Sequence, residues 1–98
     1  MGKGYIIENY KVINQDEYIP PVQTIHDILR KYNGRFLVAT PKSTTLSGNP
    51  LEVILVIEFN SNEMALKFYN SLEYAKYKEL YERTTSGWIL HSEAYAKK

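Results

Sequence analysis

The sequence predicts an α+β fold in which four strands form one antiparallel sheet and two helical segments pack on one of its faces. Three observations lead there. Runs rich in β-branched and aromatic residues lie at 4–12, 35–40, 51–60 and 88–95; apolar positions at helical spacing fill the stretches after Val22 and after Ser61; and turn chemistry separates them. At 98 residues the chain can bury one core. Residues 1–98 are therefore read as a single domain, with 96–98 as a frayed tail.

The first strand, 4–12 (GYIIENYKV), carries apolar groups on both alternating faces, Tyr5 and Ile7 on one and Ile6, Tyr10 and Val12 on the other. Residues 14–17 look like a helix start, but Pro20-Pro21 removes two backbone donors, so the regular helix is placed from Pro21. Ile25, Ile28, Leu29 and Tyr32 follow helical spacing, and Asn33-Gly34 supplies a left-handed stop.

Residues 35–40 (RFLVAT) and 51–60 (LEVILVIEFN) are expected to pair as a hairpin across a polar loop with Gly48-Asn49-Pro50 turn chemistry. Ser61 is placed as an N-cap before Met64, Ala65, Phe68 and Tyr69. Ser71 caps a continuation through Tyr74, Tyr77, Leu80 and Tyr81, giving two short helices or one bent one. Residues 84–87 break the pattern, and 88–95 (WILHSEAY) form the last strand.

The resulting order, βαββαβ, is the ferredoxin-like split βαβ. Its two helices cover one side of the sheet, yet the third strand is apolar on both: Val53, Leu55, Ile57 and Phe59 on one face, Ile54 and Val56 on the other. A second subunit is the expected cover, so a homodimer is predicted.

Composition excludes several classes. Twelve basic and eleven acidic residues are interspersed for a net charge of +1, which leaves no field of one sign for nucleic acid or an anionic membrane. No cysteine is present, so disulfides, thiolate nucleophiles and thiolate metal sites are excluded and a cytoplasmic location is expected. Met1-Gly2-Lys3-Gly4 leads into strand sequence without an apolar signal region, and the longest apolar run, 53–57, is far short of a membrane span. The third strand lacks the basic and aromatic signature of an RNA-recognition domain, and no phosphate-cradling glycine loop or nucleophile elbow is seen.

His26 and His91 have no neighbours at metal-ligand spacing, so no metal is expected, and no cofactor motif is found. His26 reads as a boundary residue of the first helix. His91 is read either as a hydrogen-bonded structural residue or as an acid/base group. Glu58 interrupts the apolar third strand on the face of Ile54 and Val56. With a loop centred near residue 46, Arg35 falls opposite Val56 or Ile57, within diagonal reach of Glu58. That pair is either a structural ion pair or a general base with its anchor.

Nine tyrosines are present, and Tyr74, Tyr77 and Tyr81 form one helical stripe, read either as core packing or as hydroxyls directed into a pocket or interface. Glu58 and His91 are thus the candidate catalytic residues, and Arg35, Tyr74 and Tyr5 the candidate ligand-binding ones. The functions weighed are a dimeric module for a small apolar or aromatic molecule, a cofactor-independent enzyme, and an interaction module.

Several segments carry a family likeness: Lys3-Gly4-Tyr5, Asp16-Glu17-Tyr18, the run from Tyr32-Asn33-Gly34-Arg35 to Val38, Leu46-Ser47-Gly48, the block from Val56 to Ser61, Ala65, Phe68-Tyr69, and Ser71-Leu72-Glu73-Tyr74. Together they resemble domain-of-unknown-function family 1330, within the dimeric α/β barrel superfamily. The resemblance implies a ferredoxin-like subunit whose sheet joins a partner's in a dimeric α/β barrel, and it names no substrate, since the superfamily includes monooxygenases, isomerases and binding modules. Asn33 stands where the family has glycine, and Ala39 and Tyr81 where it tends to have arginine. The loss of two anion-handling groups implies a more neutral or aromatic ligand, or a lost activity.

Overall fold

A computed structural model describes residues 2–96. Its elements run β1 (Gly4–Val12), α1 (Pro21–Thr24), α2 (His26–Lys31), β2 (Gly34–Thr40), β3 (Val53–Phe59), α3 (Asn62–Tyr69), α4 (Leu72–Thr84) and β4 (Thr85–Glu93). All pairings are antiparallel, in the spatial order β2-β3-β1-β4. Each helical crossover therefore joins strands that flank a third, as the split βαβ arrangement requires. Of the tail expected at 96–98, residues 97 and 98 lie outside the described residues.

Local chemistry accounts for the helix limits. Pro21 opens α1, where a missing N–H is harmless. Buried Ile25, at φ −108° and ψ 4°, divides α1 from α2, so the first helix is in two pieces rather than one. Asn33 at φ 59° ends the segment in the left-handed region. The hydroxyl of Ser61 accepts from the Met64 N–H at 3.1 Å, and that of Ser71 accepts from the Tyr74 N–H at 3.1 Å while donating to the Phe68 carbonyl at 2.8 Å.

The break expected at 84–87 is absent. Helix α4 passes directly into β4, because the side chains of Thr84 and Thr85 donate to the carbonyls of Leu80 and Tyr81, and the Thr84 carbonyl accepts from the Ile13 N–H at 2.8 Å. Gly87 serves the sheet instead of a turn: a Cβ there would run into the β1 backbone at Asn9 and Tyr10.

Ile6, Ile25, Leu29, Leu55, Ile57, Phe59, Ala65, Phe68 and Tyr74 form the core between helices and sheet. Ring contacts at 5.4 Å (Phe59 to Phe68) and 4.6 Å (Phe68 to Tyr74) run through its centre. The other sheet face carries Ile7, Ile54, Val56, Trp88 and Leu90, with Trp88 48% and Leu90 46% exposed. No described helix packs on it.

The two serine caps should each be worth about 1 kcal/mol. Ser61→Ala and Ser71→Ala are expected to lower the denaturation midpoint without changing its slope, as followed by circular dichroism in urea.

Candidate functional site

Ile6, Glu8 and Tyr10 alternate on β1 and share the face that meets the helices. Ile6 and Tyr10 are buried core residues; Glu8 lies between them, opposite Leu55 of β3 and Ile89 of β4. Above it, between α4 and the β1–β4 side of the sheet, is a cleft of about 380 Å³. Its aromatic lining comes from Tyr10, Tyr69, Tyr74 and Tyr81, with Lys78 and Glu82 also in the wall.

The Glu8 carboxyl has no hydrogen bond or ion pair among the described residues, and burial alone pushes its pKa up to about 7. Burial also raises the phenols of Tyr10 and Tyr74, and takes Tyr81 to about 12, so all three stay protonated near neutral pH. Two of these hydroxyls are engaged away from the cleft. Tyr10 and Tyr18 share a bond of 2.8 Å, while Tyr81 donates to the Ile19 carbonyl at 2.7 Å and meets the Thr24 hydroxyl at 2.7 Å. Among the described residues, the hydroxyls of Tyr69 and Tyr74 bond to nothing. The Lys78 ammonium lies 3.9 Å from the ring centre of Tyr69 and 6.0 Å from that of Tyr74.

A second polar group sits on the opposite sheet face. Glu58 accepts from the Tyr5 hydroxyl at 2.8 Å, from Arg35 Nε at 2.9 Å and from Lys3 Nζ at 3.3 Å, and Arg35 also donates to Asn60 at 3.0 Å. The Tyr5 hydroxyl first, with Arg35 and Lys3, holds the Glu58 carboxyl below its ordinary pKa. A negative charge held by three protein donors makes a weak proton acceptor and a firm counter-ion. Arg35 faces Glu58 directly, not diagonally. The loop is centred at residue 47 and a bulge at Leu37 shifts the register, neither of which composition reveals.

The sequence-derived candidates therefore divide between places. Tyr5, Arg35 and Glu58 are brought together on the helix-free face. Tyr74 lies across the sheet in the cleft, buried with Tyr81, while Tyr77 is half-buried against the core. His91, on β4, pairs its Nε2 with Asn62 Oδ1 at 3.0 Å and borders a separate depression of about 210 Å³. Among the described residues no group of three or more His, Asp or Glu is placed to hold a metal ion. Glu8 escaped the sequence reading, although its alternation with Ile6 and Tyr10 was the signal that would have found it.

The sequence profile of a family described as "Domain of unknown function (DUF1330)" matches residues 3–95. No curated protein matches the chain. Among solved structures, the RPA0582 protein of unknown function from Rhodopseudomonas palustris is similar, with a TM-score of 0.76, 7% identity, and coverage of 98% of this chain and 85% of that one. A methylated form of RPA0582 is similar at 7% identity and a TM-score of 0.76, covering 97% of this chain and 82% of its own. Likeness at that identity establishes the shared fold alone.

Two outcomes follow from the site's electrostatics. Because folding raises the Glu8 pKa, the native state keeps a proton that the unfolded chain releases, and stability falls as pH rises from about 4.5 to about 7. Glu8→Gln should therefore stabilise the protein by about 1 to 3 kcal/mol at pH 8 and by nothing at pH 4. Arg35→Ala and Glu58→Ala, in contact across the hairpin, should cost less together than the sum of their separate effects; additivity would show that the pair is uncoupled.

Proposed function

This chain belongs to the DUF1330 family, and from that premise we propose that it acts as a homodimeric domain that binds a small aromatic or apolar molecule in the cleft over Glu8. The observation that carries this reading is the cleft itself. Its volume of about 380 Å³ is within the range of small-molecule sites, and its wall is built from side chains with apolar bodies and polar tips. Tyr69 and Tyr74 present hydroxyls with no partner among the described residues, which suits a ligand bearing one or two polar groups.

Of the residues singled out in the sequence, Tyr74 belongs to this cleft. Arg35, Tyr5 and Glu58 are assigned to the rim of the dimer contact, because they flank the apolar group of Ile7, Ile54, Val56, Trp88 and Leu90 on the helix-free face. Sheet-to-sheet association of two copies would cover those residues. His91 is assigned a positioning role through Asn62. An enzymatic reading rests on Glu8 rather than Glu58 or His91, since a carboxyl titrating near neutrality is matched to proton transfer. A cytoplasmic location is supported by the absence of cysteine. Among the described residues, no helix is long and apolar enough to cross a membrane.

Sedimentation equilibrium is expected to give about twice the chain mass of 11.4 kDa; a monomer at high micromolar concentration would overturn the dimer. In a thermal-shift screen, small aromatic compounds should stabilise the protein where aliphatic polyols do not. Tyr74→Phe should weaken binding of a hydroxylated hit about fivefold, as one lost hydrogen bond implies, with Tyr5→Phe on the other face leaving it unchanged. Equal effects would remove Tyr74 from the site.

A further inference from the structure

We propose that the ligand of this cleft is a cation, an aromatic molecule bearing a primary ammonium group that pairs with the Glu8 carboxylate; this rests on the cleft being the binding site. Three independent features converge on that charge. The first is the isolation of Glu8, which has neither a hydrogen bond nor an ion pair among the described residues. A carboxylate withdrawn from water without a partner is unfavourable, and here Glu8 lines the cleft, so a counter-ion can reach it from there.

The second feature is the wall. Lys78 already places its ammonium 3.9 Å from the Tyr69 ring centre and 6.0 Å from that of Tyr74, so these electron-rich faces accept a cation in the free protein. The third is the charge balance of everything that faces the cleft. Tyr10 from β1, Tyr69 from α3 and Tyr74 and Tyr81 from α4 are neutral phenols. β4 contributes no titratable side chain, and the charged groups are Glu8, Glu82 and Lys78. Two carboxylates against one ammonium leave the site net negative once Glu8 is ionised, and no arginine is present to receive an anionic ligand.

A bound ammonium favours the ionised form of Glu8, so a protein molecule that holds the Glu8 proton must release it to solvent when the ligand binds. Alkylammonium groups keep their own proton throughout the neutral range, as lysine does. The Glu8 pKa of about 7 then implies that affinity rises about tenfold from pH 6 to pH 8.

The test is calorimetric titration of the dimeric or monomeric protein, as it exists in solution, with 2-phenylethylamine, 2-phenylethanol and 3-phenylpropanoate. At pH 8 the amine should bind at least tenfold more tightly than the alcohol, with the carboxylate weakest. Glu8→Gln should abolish that preference and flatten the pH dependence. Lys78→Met, which leaves Glu8 intact and removes the resident cation, should tighten amine binding severalfold. An alcohol that binds as well as the amine would overturn the ammonium assignment and leave the cleft reading standing. An amine preference that survives in Glu8→Gln, or weakens in Lys78→Met, would also overturn it. Failure of all three compounds to bind at millimolar concentration would overturn the cleft reading together with the ammonium assignment.

Discussion

Strand β1 is bonded on both sides, to β3 through Gly4 to Tyr10 and to β4 through Gly4 to Val12, and its two-residue side-chain period decides what each face of the sheet receives. Ile6 and Tyr10 are needed in the core, so Glu8, between them, must point the same way. A slip of one residue would return Glu8 to the helix-free face and expel Ile6 and Tyr10 with it, which the buried contacts forbid. The placement of a carboxyl among apolar groups is thus a consequence of keeping the core, and the cleft beneath α4 is the space in which that carboxyl is tolerated.

The tyrosines divide on the same principle. Tyr5, Tyr10, Tyr18, Tyr32 and Tyr81 have hydroxyls tied to protein partners, and these ties hold segments together: Tyr81 fastens α4 to the loop at Ile19, and Tyr32 reaches Glu73 across to α4 at 2.7 Å beside Lys31. Tyr69 and Tyr74 contribute packing through their rings and leave their hydroxyls unengaged. A buried ring with an unengaged tip contributes to the core while keeping a polar group for something else. The helix-free face follows a different logic, in which Glu58 is held by three donors beside the apolar group of Ile7, Ile54, Val56, Trp88 and Leu90.

Much of this was legible in the sequence. Strand β1 was placed with its limits correct, the Ser61 and Ser71 caps and the left-handed stop at Asn33 follow from local chemistry, and the two apolar faces of β3 were visible in strict alternation. What escaped has physical reasons. A bulge such as that at Leu37 depends on how two strands meet, and Gly87, within the stretch expected to break the pattern, is instead a strand residue against which β1 packs closely. That Tyr74 and Glu58 lie on opposite sides of the sheet is not legible, because sequence does not tell which side of a sheet a helix covers. Glu8 is not visible as a buried group in the sequence, because a single charged residue in a strand reads as solvent-facing until the strand is known to be central and its neighbours buried.

The most direct measurement is the titration of the Glu8 side-chain carboxyl by carbon-detected NMR in the free protein. A midpoint near 7 is the result expected of an unpartnered carboxyl enclosed by the tyrosine cleft. A midpoint near the ordinary value of about 4.5 would mean that water or a cationic side chain already serves it, and would contradict the placement of Glu8 as the waiting charge of the site.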